Sequence, residues 1–190
     1  MAGRRRVSGR AHASARPAPV EPERFRQIAG YFVTGVTVLC TIVRGEPRVM
    51  TANSFLPVSL EPPLVLVSVR AGSRWLADVA PGTGFAISVL SDAQQPDSRR
   101  FASPDRLRDE RSLAGITWQP ALCTGSPVLS ASVAYFDCVV DSLVPAGDHV
   151  LVVAGVRALG DLRDEVSPLV FWRGRYWNGP SAEVAPISVR

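Results

Sequence analysis

The stretch Val49-Met50-Thr51-Ala52-Asn53-Ser54-Phe55-Leu56-Pro57-Val58-Ser59-Leu60-Glu61-Pro62-Pro63-Leu64-Val65-Leu66-Val67-Ser68 decides how this chain is read. A strand-like segment turns small and polar at Thr51, Ala52, Asn53 and Ser54 between apolar flanks, then reaches a proline pair and the run Leu64 to Ser68. Strands rich in β-branched and aromatic residues bury themselves by packing. Four small residues in a row instead leave backbone amides and hydroxyls open to something large and flat. The same pattern also fits a polar edge strand with no ligand, and composition does not separate the two.

Outward from that stretch, the chain alternates short apolar runs with turn chemistry. Glu23 to Phe32 places Phe25, Ile28, Ala29 and Phe32 on one helical stripe. Val36 to Val43 reads as a strand, joined by the turn Gly45-Glu46-Pro47 to a partner beginning near Val49, a hairpin pattern. Leu64 to Val69 follows the prolines as a third strand, and Ser73 is placed to cap a helix through Val79. Phe85 to Leu90 is a further strand, after which Ser91 and Gln94 form a capping-box pattern opening a short helix toward Phe101. Pro104 to Gly125 reads as loop with some helix. Val133 to Leu143, Val150 to Leu159 and Leu169 to Tyr176 complete the strands. Many short strands with few helices predict a mainly β fold, an antiparallel barrel that is closed or partly closed. Neither GxGxxG nor a Walker A sequence occurs, so any nucleotide is held without those devices.

Length and composition set outer bounds. A chain of 190 residues, 46% hydrophobic, suits one domain with a sizeable core. No apolar run approaches the roughly 20 residues of a membrane span, and Arg4 to Arg6 are followed by no apolar segment of the secretory kind. The expectation is a cytoplasmic protein without a membrane role. The formal charge of +4 belongs to the start of the chain: residues 1–20 hold five Arg and no acid, leaving 16 Arg against 17 acids. Residues 1–22 are therefore expected to be a disordered basic tail, 23–178 the folded domain and 179–190 a C-terminal extension. Nucleic acid is not an expected partner. Cys40, Cys123 and Cys138 are too scattered for a disulfide framework or zinc site, and Cys40 and Cys138 read as small buried hydrophobes.

Five motifs in order, Thr34-Gly35-Val36-Thr37-Val38, Thr51-Ala52-Asn53-Ser54-Phe55, Ser59-Leu60-Glu61-Pro62-Pro63, Phe85-Ala86-Ile87-Ser88-Val89-Leu90 and Gly147-Asp148-His149, resemble the short-chain flavin reductases, the reductase components of two-component flavin-dependent monooxygenases. The resemblance spans about residues 24–178. It implies a Greek-key-like, FMN-binding split β-barrel that binds FMN or FAD and forms a homodimer. NADH or NADPH would reduce the flavin, which passes to a partner monooxygenase. The sequence departs from the family at Phe32-Val33, where a Phe-Pro pair is usual, and at Val38-Leu39-Cys40-Thr41, where threonines are common.

The resemblance assigns candidate residues. Val49, Met50, Thr51, Ala52, Asn53 and Ser54 would meet the isoalloxazine, where small side chains let main-chain donors approach. Ser68, Val69, Arg70 and Ser73 would hold the flavin phosphate, with Arg100 and Phe101 closing over it. His149, as the catalytic-site residue, with Arg173 and Tyr176 would meet the nicotinamide dinucleotide. Hydride transfer requires no protein acid, only donor carbon and flavin N5 held about 3–3.5 Å apart, so His149 is expected to orient the nicotinamide. No metal site is expected. A flavin-binding electron carrier, and an enzyme oxidising an organic substrate with tightly held flavin, remain open beside the reductase.

Overall fold

The structure is a computed structural model that describes residues 18–163 and 165–180. The expected tail therefore falls mostly outside the described residues, as do 181–190 of the expected extension. In chain order the elements are helix α1 (Pro22–Ala29), β1 (Thr34–Gly35), β2 (Thr37–Val43), β3 (Glu46–Ala52), β4 (Phe55–Leu60), β5 (Pro63–Arg70), β6 (Gly84–Val89), helix α2 (Gln95–Ala102), β7 (Trp118–Pro120), β8 (Pro127–Leu129), β9 (Ala134–Ala146), β10 (His149–Asp161), β11 (Leu169–Trp172) and β12 (Arg175–Asn178).

The antiparallel sheet at the centre runs β3-β2-β6-β9-β10-β5-β4. Its two outermost strands, β3 and β4, are consecutive in sequence and joined only by Asn53 and Ser54. The wall therefore splits at the small residues from which the reading began. β4 itself was passed over by sequence reasoning because Pro57 interrupts it. The structure accommodates that proline at a register irregularity between Pro57 and Ser59 on an edge strand, where a missing N–H costs least.

Side-chain alternation sorts the wall into two cores. Leu39, Val65, Val67, Val69, Trp75, Phe85, Ile87, Cys138 and Val152 fill the barrel. Val36, Val38, Cys40, Val49, Leu90, Phe101, Leu129 and Leu169 fill a second core outside it, beneath α2 and β11. Thr37 to Thr41 are all buried because both faces of β2 are covered. Cys40 and Cys138 occupy these cores as sequence implied, and burial, with Asp137 adding repulsion, pushes the Cys138 thiol up to about 12.

Local chemistry explains most boundaries. The first hairpin turns at Arg44 and Gly45, with φ of 54° and 81°, one step earlier than the expected Gly45-Glu46-Pro47. Two residues in left-handed conformation match the twist of a tight hairpin. Ser91 and Gln94 form the expected capping box ahead of α2. Ser73 caps no α-helix: only a 3-10 turn, Leu76–Asp78, follows, and the Ser73 hydroxyl lies against Met50 Sδ at 3.8 Å. β7 lies where loop was read and β8 just beyond it, both too short for periodicity to register. The final segment is two strands turned at Arg173 and Gly174.

α1 carries the expected apolar stripe but buries none of it. Phe25 is 67% exposed and Phe32 77%. Gly30, at its C-terminal end, accepts from Arg173 N at 2.9 Å, and Tyr31 O accepts from Trp172 Nε1 at 3.3 Å. The helix is thereby tied to the β11–β12 hairpin through its end rather than its face.

Candidate functional site

Two concavities meet at the split. A pocket of about 170 Å³ is lined by Thr51, Ala52, Asn53, Val36, Ala102, Phe171 and Tyr176. A larger cavity of about 890 Å³ lies between α1 and the β11–β12 turn, with Thr34, Asn53, Asp148, His149, Phe171, Arg173 and Gly174 in its lining. Asn53 and Phe171 belong to both. The larger volume suits a small-molecule ligand or cofactor.

The small residues hold the rim in place with their own hydroxyls. Thr51 Oγ1 donates to Ser98 O at 2.7 Å, Ser54 Oγ donates to Ser68 O at 2.7 Å, and Asn53 Nδ2 donates to Thr34 Oγ1 at 3.2 Å. Hydroxyl protons expected to face a ligand are thus spent pinning α2 and β5, while the oxygens keep acceptor capacity. β3 has no strand on its outer side, and β5 loses its β4 partner beyond Val67. The main chain at residues 51–54 and 68–70 is consequently released from the ladder on one side.

Several assigned residues contribute no side chain to this rim. Val49, Val69 and Phe101 are 4%, 1% and 2% exposed and pack in the cores, so only their main chain can reach a ligand. Met50 packs against the barrel core. Arg100 donates to Ala114 O at 2.9 Å and Arg111 O at 3.0 Å, which ties α2 to the following loop. Arg70 remains exposed beside Ser68, and Ser73 N donates to Arg70 O at 2.8 Å, closing a tight turn at the strand end.

His149 begins β10, directly across from Arg70 on β5. Gly147, with φ 65°, makes the turn that places it there. Its Nδ1 lies 2.8 Å from Asp148 Oδ1, and its side chain is 41% exposed. Hydrogen bonding from His149, reinforced by its charge and by Arg70, holds the Asp148 carboxyl below the ordinary carboxylate range. With Nδ1–H committed to Asp148, Nε2 is the nitrogen left for a ligand. Asp148 was quoted only as turn chemistry, yet it lines the cavity and orients the imidazole.

Arg173 and Tyr176, assigned together, separate. Arg173 is held in left-handed conformation, φ 50°, with its guanidinium 4.8 Å from the Tyr31 ring centre and 5.5 Å from that of Trp172. It lines the large cavity. Tyr176 lines the small pocket instead; its hydroxyl accepts from Ser98 Oγ at 2.9 Å, and Arg99 sits 5.1 Å over its ring. Phe25, Arg26 and Phe32 also line the large cavity, although sequence reading gave them only a helical stripe. Among the described residues no group of three or more His, Cys, Asp and Glu is placed to hold a metal ion.

The rim is a flat slot with released main chain beside a cavity carrying an imidazole and cations, suited to holding two aromatic rings in contact. The chain is also similar to known proteins. Residues 29–180 match the family described as "Flavin reductase like domain". The reductase subunit HsaB of a flavin-dependent monooxygenase from Rhodococcus jostii is 40% identical over 157 residues, 83% of this chain and 77% of that protein. A flavin reductase (NADH) from Kitasatospora aureofaciens is 39% identical over 171 residues, 88% of this chain and 86% of that protein. The crystal structure of BorF, the flavin reductase component of a bacterial two-component tryptophan halogenase, superposes with a TM-score of 0.79 at 32% identity, covering 85% of this chain and 99% of that one. The split barrel, the order of its motifs and these likenesses together place the chain in the flavin reductase-like domain family.

Proposed function

We propose that this protein is an NAD(P)H-dependent flavin reductase that transfers hydride from a reduced nicotinamide to FMN or FAD and delivers the reduced flavin to a partner monooxygenase. The observation that carries the reading is the continuity of the two concavities through Asn53 and Phe171. It lets a flavin seated on residues 51–54 meet a nicotinamide seated by His149. The flavin supplies the hydride acceptor; the chain's own task is placement.

In this reading Thr51, Ala52, Asn53 and Ser54 support the ring, with main-chain groups at Val49 and Met50 continuing the same edge. The flavin phosphate lies at Ser68, Val69, Arg70 and Ser73, where released main chain and an exposed guanidinium converge. Arg100 and Phe101 act from beneath by fixing α2. Tyr176 closes the flavin side and Arg173 the nicotinamide side. The protein works as a homodimer in the cytoplasm, the second copy covering apolar surface that a lone chain exposes. Among the described residues no helix is long and apolar enough to cross a membrane.

Purified protein mixed with NADH or NADPH and excess free FMN or FAD will consume nicotinamide over many turnovers, followed at its absorbance band. Oxidation of no more than one equivalent per chain would exclude the reductase in favour of a carrier or a direct flavoenzyme. His149→Ala will raise the KM for the nicotinamide about tenfold, the scale of one charged or polar contact, and leave flavin affinity nearly unchanged. An unchanged KM removes the residue from the site.

A further inference from the structure

Two guanidinium groups from separate elements line the large cavity, Arg26 on α1 and Arg173 on the β11–β12 turn. Neither has a carboxylate partner among the described residues, and Arg26 has no hydrogen-bond partner there either. Their elements are linked: Arg173 N donates to Gly30 O at 2.9 Å, and Gly30 N donates to Arg26 O at 3.0 Å. Arg173 is further fixed by its stacking over Tyr31. The cavity wall therefore presents two cations from linked elements, with Asp148 the one carboxylate among its lining residues and that already engaged by His149.

We infer that Arg26 and Arg173 form a paired clamp for the diphosphate of the nicotinamide dinucleotide, so that α1 contributes a substrate-binding residue. The inference rests on the reductase reading. A dinucleotide carries two adjacent phosphate charges between its rings. Two planar guanidiniums match them by charge-assisted, often bidentate hydrogen bonds. The cavity has room for ring and diphosphate together, and the exposed rings of Phe25 and Phe32 flank the same space. An unfilled apolar stripe on α1 is then explained in part by the ligand that lies along it.

The test uses donors with and without phosphate. With FMN as acceptor, Arg26→Ala will raise the KM for the dinucleotide about tenfold with little change in kcat. Turnover of N-benzyl-1,4-dihydronicotinamide, a hydride donor with no phosphate, will stay at the wild-type level. Arg26→Lys will recover part of the KM, keeping a point charge without the planar fork. Arg24→Ala, on the same helix with its guanidinium 2.7 Å from Gln27 Oε1 and outside the cavity lining, will leave both donors unaffected. An unchanged dinucleotide KM in Arg26→Ala overturns the clamp, as does an equal loss with both donors. A rise confined to the KM for FAD, measured with the phosphate-free donor, overturns the assignment to the hydride donor. If wild-type protein turns over neither donor, the reductase reading itself has failed and the clamp falls with it.

Discussion

Asp137 shows how one buried charge can organise a loop. It is 0% exposed, yet among the described residues it has no ion-pair partner. Its carboxylate accepts instead from Cys123 N at 2.6 Å, Thr124 N at 3.2 Å and Thr124 Oγ1 at 2.6 Å. Under the same loop a Cβ added to Gly84 would stand 2.8 Å from Thr124 Cβ, so the loop packs directly on bare backbone. Asp137→Ala would leave the two N–H groups and the Thr124 hydroxyl without their shared acceptor and open a hole at a fully buried position. The expected loss is about 2–4 kcal/mol of stability, read from urea unfolding, with flavin reduction at low temperature retained because the loop lies away from the split. Sequence did not single out Asp137. An acid inside an apolar strand looks the same on paper whether it faces water or main-chain amides. His149 was singled out from sequence, because a lone imidazole after Gly-Asp at a strand head has few packing roles, and the structure puts it in the lining of the large cavity. The shared lining position of Arg26 was not legible, because Arg173 is far away in sequence and its main chain is linked to that of Arg26 only through Gly30.

At the scale of elements, long apolar runs were the most legible. β2, β5, β6 and β10 lie where alternation or β-branched density placed them, since each contributes to a core. β4, β7 and β8 were missed for want of length or because of proline. The helix expected after Ser73 shrinks to one 3-10 turn, Leu76–Asp78, and the segment after α2 packs against it. Arg106 Nε donates to Val49 O at 2.9 Å, and Arg108 pairs with Asp78 in that turn. Burial lowers the Arg106 guanidinium from its ordinary value, helped by the nearby charges of Arg74 and Arg108. α2 carries a cost of its own. Burial pushes the Asp97 carboxyl above its ordinary value, with Arg100 offsetting part of the effect. The native state thus holds that proton more tightly than the unfolded chain, so the penalty is absent below the unfolded value, near 3.9, and grows as pH rises past it. Asp97→Asn is expected to raise Tm at neutral pH, with the gain fading toward pH 4 in a series of thermal melts.

For the whole molecule, edge strand β4 and the surroundings of α1 both leave apolar surface exposed. Leu56, Val58 and Leu60 on β4 are 55%, 45% and 94% exposed, as are Phe25 and Ile28 on α1 and Phe32 just after it, at 67%, 50% and 77%. An edge strand with apolar side chains is a site of pairing unless covered. This supports the homodimer, and Leu56→Asp should shift sedimentation from dimer toward monomer while the far-ultraviolet circular dichroism stays native. The split of the barrel was visible in the small residues at 51–54; the exposed apolar edge of β4 was not, because Pro57 hid the strand.

One consequence follows from where the indoles sit. Trp75 is sealed in the barrel, 5.5 Å from Phe85, whereas Trp172 and Trp177 stack at 5.9 Å on the hairpin that walls the large cavity. A dihydronicotinamide or flavin absorbs where indole emits, so a ring arriving in the cavity drains excitation from the indoles around it and dims the protein's own emission. The molecule carries its own optical gauge of occupancy.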